Sequence, residues 1–220
     1  PYRTPRKHNE PHCSVGATHA SPLYTAFAPC SSDDSSGPAC LDRQSPSAQF
    51  ANKPPTVAVA LSGGVDSAVA AALLQEGGYA VLGLTMRLWR EPPQQDGEGA
   101  ALSASAVCAH LSIPHHVLDL RQAFYDEVVG YFVGEYARGR TPNPCLRCNR
   151  LLKFGRLWEQ AQRLGADYLA TGHYVRLERA AGRYRLLAGA DLRKDQSYFL
   201  HTLTQADLAH LLFPLGGWTK

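Results

Sequence analysis

The sequence predicts an α/β fold, a doubly wound and mostly parallel sheet, for the part of the chain after residue 53. Short, continuously apolar runs are typical of strands that are buried on both faces of a sheet. Strand and helix patterns alternate five times along the chain, as they do in βαβ units. Such units are right-handed, and their strands are parallel.

The predicted elements follow one another closely. The first strand, residues 56–61, reads TVAVAL, and the helix at 67–76 is rich in Ala, Leu and Val. Gly77 and Gly78 end that helix, and a second apolar strand follows at 79–86. The later elements are a loop at 91–100, a helix at 103–111, a strand at 115–118, a helix at 121–138, a loop at 139–148, a helix at 153–164, a strand at 167–170, and a hairpin of 174–178 with 184–188.

Residues 1–53 are predicted to form a disordered tail, and residues 54–220 the folded domain. The tail is rich in Ser and Pro and has no hydrophobic period, so it cannot bury enough apolar surface to offset the entropy of ordering. Its early basic residues, with Glu10 as the only acid before Ser32, predict an organellar transit peptide for a plastid or a mitochondrion. An ordinary disordered tail is the alternative, and the acids near the end of the tail favour it.

The composition limits the classes of protein that the chain can represent. A formal net charge of +3 is too small to indicate nucleic-acid binding by itself. No stretch approaches the roughly 18 consecutive apolar residues of a membrane span, so we expect no membrane partner. Three of the six cysteines lie in the tail, which argues against a disulfide framework. Because the chain begins with Pro1 rather than Met, we expect it to be a fragment of a longer protein.

The segment SGGVDS, residues 62–67, joins the first strand to the first helix and predicts a phosphate site. Its glycines allow backbone N–H groups to approach a ligand, its serines add hydroxyl donors, and the positive end of the helix favours an anion. Asp66 can cap the helix or hold Mg²⁺ that is itself bound to phosphates. The segment matches neither the GxxxxGK[ST] nor the GxGxxG pattern. A glycine turn without a ligand is the alternative.

A second segment, residues 139–155, carries two thiols, Cys145 and Cys148, in a proline-containing stretch. No acid occurs between Glu135 and Glu159, and this charge pattern predicts a lowered thiol pKa and contacts with a phosphate backbone. A solvated basic face is the alternative. The cations that surround the two thiols, within this stretch or directly beside it, are Arg138, Arg140, Arg147, Arg150, Lys153 and Arg156.

These segments resemble known families. SGGVDS resembles the PP-loop of the N-type ATP pyrophosphatases, whose fold is adenine-nucleotide α-hydrolase-like. The stretch NPCLRCNRLLKF, residues 143–154, is similar to a motif of the tRNA-specific 2-thiouridylase family. Downstream, LGADYLATGHYVR, KDQSYFL and LFPLG are similar to further motifs of that family, in the same order. Several ordered motifs are more specific than any one of them.

The resemblance implies an enzyme that uses ATP to adenylate the C2 oxygen of the tRNA wobble uridine, after which a protein persulfide delivers sulfur to C2. Cys148 would be the catalytic nucleophile, and the target base would be flipped into a pocket. The implied ATP-binding residues are Ala60, Leu61, Ser62, Gly63, Gly64, Val65, Asp66, Ser67, Met86 and Gly172. The implied tRNA contacts are Asn143, Pro144, Cys145, His173, Lys194, Asp195 and Gln196.

The sequence departs from the family in two ways. Bacterial relatives usually have Asp where this chain has Cys145, which makes Cys145 a candidate catalytic acid or base. It also leaves a structural zinc site, a disulfide with Cys148 and an iron–sulfur cluster as alternatives. The family's persulfide-carrying cysteine is expected beyond Lys220. Competing functions are a PP-loop enzyme that acts on a small metabolite and a non-catalytic RNA-binding module with a CxxC metal site.

Overall fold

A computed structural model describes residues 53–89 and 98–220 of the protein. Five parallel strands form the main sheet in the order β3–β2–β1–β4–β7, and β5 and β6 form a separate antiparallel hairpin. The strands are β1 (Thr56–Ala60), β2 (Ala80–Arg87), β3 (His115–Asp119), β4 (Tyr168–Thr171), β5 (Val175–Ala180), β6 (Arg183–Ala188) and β7 (Leu211–Leu212).

The helices cover both faces of this sheet. They are α1 (Val65–Glu76), α2 (Glu98–Leu111), α3 (Arg121–Phe124), α4 (Gly130–Ala137), α5 (Pro144–Cys148), α6 (Leu157–Arg163) and α7 (Gln205–Leu208), with a 3₁₀ turn at Ser197–Leu200. A π-helical segment at Tyr125–Val129 joins α3 to α4, so 121–137 is one continuous helix. A second π segment at Asn149–Arg156 joins α5 to α6, and we call the continuous helix 144–163 the thiol helix.

Alternate residues of β1 face two different cores. Val57 and Val59 pack with α1 and α2, whereas Ala58 packs with the thiol helix, where Phe154 and Leu157 are buried. Because both faces of the strand are covered, its sequence is continuously apolar, as parallel sheets require. The predicted doubly wound α/β fold is therefore confirmed.

Strand β1 lies between β2 and β4, and the chain moves outward from it in both directions. From β1 it passes to β2 and β3 on one side, then crosses to β4 and β7 on the other. The loops that follow β1 and β4 therefore diverge at the carboxyl edge of the sheet. This change of direction opens the crevice in which folds of this type bind ligands.

Two predicted loops are partly helical. Helix α2 begins at Glu98, inside the predicted loop 91–100, and α5 occupies Pro144–Cys148, inside the predicted loop 139–148. The second difference has a local cause, because Asn143 caps the helix and proline is favoured in the first helical turn. The predicted hairpin of 174–178 with 184–188 is confirmed as strands β5 and β6. Apart from Lys53, the predicted tail and transit peptide lie outside the described residues.

Within the described ranges, none of the helices combines the length and apolar character needed to cross a bilayer.

Candidate active site

A cleft of about 680 Å³ opens at the carboxyl edges of β1 and β4. Residues predicted to bind ATP and residues predicted to contact tRNA lie on its walls together. The lining residues are Ala60, Leu61, Ser62, Asp66, Ser67, Leu84, Thr85, Met86, Arg87, Leu88, Trp89, Ala100, Lys153, Thr171, Gly172, His173, Tyr174, Lys194, Gln196 and Lys220.

Hydrogen bonds within residues 62–67 fix the shape of the predicted phosphate loop. The backbone N–H of Ser62 donates to Oγ of Ser67 over 3.2 Å, and the Ser67 hydroxyl donates to the carbonyl of Gly64 over 2.9 Å. Gly63 has a φ of +78°, and a Cβ there would lie 2.7 Å from the carbonyl oxygen of Ala100. The buried Ser67 hydroxyl thus holds the loop together and is not the free donor that the sequence predicted.

The predicted ATP residues do not all face the cleft. Gly63, Gly64 and Val65 are absent from the residues that line it in the described part of the chain. The backbone at Gly172 approaches the loop so closely that a Cβ there would lie 2.9 Å from the backbone nitrogen of Ser67. Glycine at residue 172 is therefore required for β4 and the phosphate loop to form one wall.

Asp66 lies in the first turn of α1, and Gly64 is the N-cap, so the alternative that Asp66 caps the helix is wrong. Its carboxylate accepts hydrogen bonds from the Tyr174 hydroxyl at 3.1 Å and from Nζ of Lys220 at 2.7 Å. The Lys220 contact shows that a cation can reach this carboxylate.

The thiol helix begins at a well-defined cap. Oδ1 of Asn143 accepts a hydrogen bond from the backbone N–H of Cys145 at 3.0 Å, and Pro144 occupies the first turn. Cys145 is exposed and Cys148 is half-buried, and both are free thiols. The predicted alternative of a disulfide between them is not present in this structure, in which the two side chains differ in exposure.

Three of the six cations around the thiols form ion pairs with acids of the 121–137 helix, and a fourth bonds to its backbone. Glu127 forms an ion pair with Arg156, and its backbone carbonyl accepts a hydrogen bond from Arg147 over 2.5 Å. The Arg147 guanidinium also lies over the ring of Tyr131, 4.3 Å from its centre. Glu135 in turn pairs with Arg138 and Arg140 through oxygens 3.0 and 3.2 Å away.

This pairing changes the electrostatics expected at Cys148. Burial raises the pKa of the Cys148 thiol, the charge of Lys153 opposes that rise, and Cys145 adds to it. The expectation that the surrounding cations would give a net lowering of the pKa is therefore wrong. Burial outweighs Lys153, and four of the arginines are engaged by Glu127 and Glu135.

Lys153 and His173 both line the cleft. Burial, and then the charge of Lys153, lower the pKa of His173 to about 3, so its ring is neutral at physiological pH. Nδ1 of His173 lies 2.7 Å from Oγ1 of Thr171. Burial also lowers the pKa of Lys153, while both nearby thiols raise it. Sequence reasoning did not place Lys153, Thr171 or Tyr174 in the cleft.

The residues of the KDQSYFL motif take different positions. Lys194 and Gln196 line the cleft, and Oε1 of Gln196 accepts a hydrogen bond from the backbone N–H of Tyr174 at 3.0 Å. Asp195 does not line it. Its carboxylate accepts hydrogen bonds from the backbone N–H of Gly189 and from the N–H and hydroxyl of Ser197. Asp195 thus stabilises a turn, and its predicted tRNA contact stays a prediction.

The donor groups fit some of the implied cofactors better than others. Among residues 53–89 and 98–220, no three His, Cys, Asp or Glu side chains are grouped so that they could hold a metal. An iron–sulfur cluster or a structural zinc on Cys145 and Cys148 therefore lacks its remaining ligands in this part of the chain. A Mg²⁺ ion needs fewer protein ligands, because one carboxylate and the substrate phosphates usually suffice. Asp66 offers that carboxylate.

The fold, the loop after β1 and the cleft at the change of strand direction define a nucleotide-binding α/β domain with a PP-loop. Residues 55–220 match the family model described as the tRNA methyl transferase HUP domain. The chain belongs to this family, which confirms the family-level resemblance.

Curated relatives include tRNA-specific 2-thiouridylases. The chain is 51% identical over 174 residues to tRNA-specific 2-thiouridylase MnmA 1 of Caldanaerobacter subterraneus subsp. tengcongensis, covering 74% of this chain and 48% of the relative. It is 51% identical over 173 residues to MnmA of Heliobacterium modesticaldum, with coverages of 75% and 45%. The chain thus spans about half the length of these relatives. A solved structure, the U34-tRNA thiolase NcsA of Methanococcus maripaludis, is similar with 24% identity and a TM-score of 0.40, over 56% of this chain and 39% of that one.

Proposed function

We propose that this chain carries the ATP-binding and thiol-bearing part of a tRNA 2-thiouridylase, which replaces the C2 oxygen of the wobble uridine with sulfur. One observation carries the proposal: the cleft behind the PP-loop is also lined by Lys153 of the helix that bears Cys148. The relatives named above, at 51% identity, are called 2-thiouridylases and supply the substrate class.

In the first step, backbone amides of residues 62–67 and the positive end of α1 bind the phosphates of ATP. Asp66 and the phosphates would hold a Mg²⁺ ion, which would neutralise part of the phosphate charge. The uridine O2 then bonds to the α-phosphorus while the bond to pyrophosphate breaks. This step converts the C2 oxygen, a poor leaving group, into part of AMP.

In the second step, the terminal sulfur of a persulfide on the family's carrier cysteine bonds to C2, and AMP leaves with the original oxygen. The Cys148 thiolate then attacks the carrier's inner sulfur, which breaks the sulfur–sulfur bond, forms a disulfide between Cys148 and the carrier cysteine and leaves the outer sulfur on C2. The N3 proton of the uridine must leave when O2 bonds to phosphorus. Cys145 on the thiol helix and His173 on the wall of the cleft are candidates to accept it. We also propose a plastid or mitochondrial location, which the composition of the tail supports.

The test compares Cys148→Ser with Asp66→Asn in the protein. We expect Cys148→Ser to abolish 2-thiouridine formation while ATP affinity and tRNA-stimulated AMP release persist. We expect Asp66→Asn to lower both AMP release and thiolation, because it removes the charge that would hold the ion. AMP release reports the displacement of AMP from C2, and nucleoside analysis of the tRNA reports the completed thiolation that needs Cys148.

Thiolation that persists in Cys148→Ser would remove this residue from its role. AMP release that does not respond to tRNA, and responds to a small metabolite instead, would contradict the proposed substrate.

A further inference from the structure

We propose that Lys153 is a positioning residue whose ammonium group, on the wall of the cleft, stabilises the thiolate of Cys148 on the same helix. The inference rests on the proposed function, in which Cys148 is the nucleophile. It deepens that function by assigning the charge that makes the thiol reactive, a role that the surrounding arginines were expected to fill.

The backbone on both sides of Lys153 is held in place by buried neighbours. Leu152 and Phe154, its two neighbours, are 0% and 3% exposed and pack in the core. Four residues earlier, Asn149 is buried, and its Nδ2 donates to the carbonyl oxygen of Phe199 at 3.1 Å. This segment of the thiol helix is therefore anchored, and the Lys153 side chain lines the cleft.

The π-helical segment aligns Lys153 with Cys148. Two residues that are five positions apart on an α-helix point about 140° away from each other around the axis. In a π-helix the hydrogen bonds join residues i and i+5, so residues five apart lie nearly one above the other. Cys148 is the residue that immediately precedes the π segment Asn149–Arg156. The wide turn thus brings the sulfur and the ammonium group to one side of the helix.

The two groups also have the charges needed to stabilise each other. Four of the five arginines nearby are engaged by Glu127 and Glu135, and the fifth, Arg150, is exposed. Lys153, in contrast, has both thiols as its electrostatic partners. Burial alone opposes a charge on either group. Transfer of the thiol proton to a neutral Lys153 amine breaks one S–H bond, forms one N–H bond and leaves the total charge unchanged. The resulting thiolate–ammonium pair offsets part of the cost of burial.

The test follows the pH dependence of Cys148 alkylation by iodoacetamide, with peptide-level mass spectrometry to separate Cys148 from the other thiols. We expect Lys153→Met to move the midpoint of the profile to higher pH and to slow alkylation at pH 7.5 about tenfold, the effect of one unit in pKa. Lys153→Arg restores the charge and should return most of the rate. At high pH the thiol is fully ionised, so the plateau of the alkylation rate reports the accessibility of Cys148. This plateau should be the same in the variants and in the parent protein.

The matched control is Arg150→Met, which removes an exposed cation from the same helix. We expect it to leave the Cys148 profile as it is. A Lys153→Met profile identical to that of the parent protein, with a native circular dichroism spectrum, would overturn the inference. Alkylation needs neither tRNA nor ATP, so this result is independent of whether the protein proves to thiolate tRNA.

Discussion

At the scale of single residues, burial determines the protonation states around the cleft. It raises the pKa of Cys148 and lowers the pKa values of Lys153 and His173. A neutral His173, fixed beside Thr171, has one ring nitrogen that donates a hydrogen bond and one that accepts a hydrogen bond, and it places no charge in the cleft. The sequence indicated His173 as a candidate tRNA contact, but nothing in the sequence indicated that this residue would be only 9% exposed.

His173 makes a specific prediction about pH and stability. Its pKa in the fold is about 3, below the ordinary value of 6.5, so the unfolded chain binds the proton more readily. The free energy of unfolding should therefore fall as the pH drops below about 6.5, by up to 1.4 kcal/mol per pH unit from this group. Between pH 7 and pH 5, we expect the free energy of unfolding to fall by about 1–2 kcal/mol less in His173→Asn than in the parent protein.

Urea unfolding at both pH values measures this difference. Equal pH dependence in the parent protein and in His173→Asn would show that the ring is not held neutral by the fold.

At the scale of elements, two short features control the site. The PP-loop and β4 meet at Gly172, and the thiol helix is widened by one π segment. The glycine pair and the thiols were evident in the sequence. The π segment was not evident in the sequence, because a hydrophobic pattern of period 3.6 does not indicate where a helix has a locally wider turn. The sequence therefore does not distinguish Lys153 from the five arginines around the thiols, although its neighbours Leu152 and Phe154 are core residues.

Gly172→Ala tests the contact between β4 and the PP-loop. The added Cβ would lie 2.9 Å from the backbone of Ser67, and backbone cannot move as a side-chain end can. We expect a loss of about 1–3 kcal/mol in the free energy of unfolding, as for other overpacked sites, together with weaker ATP binding. Chemical unfolding and nucleotide titration measure the two effects.

Gly134→Ala is the matched control, because no atom outside the backbone of its own helix lies within 4 Å of the new Cβ. It should stabilise the protein by up to about 1 kcal/mol through helix propensity and leave ATP binding unchanged. An ATP affinity in Gly172→Ala equal to that of Gly134→Ala would contradict the close-contact argument.

At the scale of the whole molecule, the order of the elements was predictable and the pairing of charges was not. Buried parallel strands have continuous apolar sequences, so their alternation with helices indicated the fold. No acid lies between Glu135 and Glu159, so the cations nearest the thiols have no neighbouring acid in the sequence. In the folded chain Glu127 of the 121–137 helix interacts with Arg147 and Arg156 of the thiol helix, a contact that depends on tertiary packing. Glu135 pairs locally with Arg138 and Arg140, which follow it closely in the sequence.

This pairing predicts which cation contributes to the salt dependence of tRNA binding. Arg150 is exposed and has no ion pair in the described part of the chain, whereas Arg138 is paired with Glu135. If Arg150 contacts a phosphate, Arg150→Gln should reduce the slope of log affinity against log salt by about one. Arg138→Gln should leave the slope nearly unchanged. Filter binding at several salt concentrations tests this, and equal slopes for both variants would contradict it.

The cleft behind the PP-loop is continuous from Met86 to Lys194. If the nucleotide and the target uridine occupy it together, one compound that joins adenosine phosphate to a uracil ring would fill both halves. Such a bisubstrate inhibitor would make the second binding event intramolecular, and we expect it to bind more tightly than either half alone.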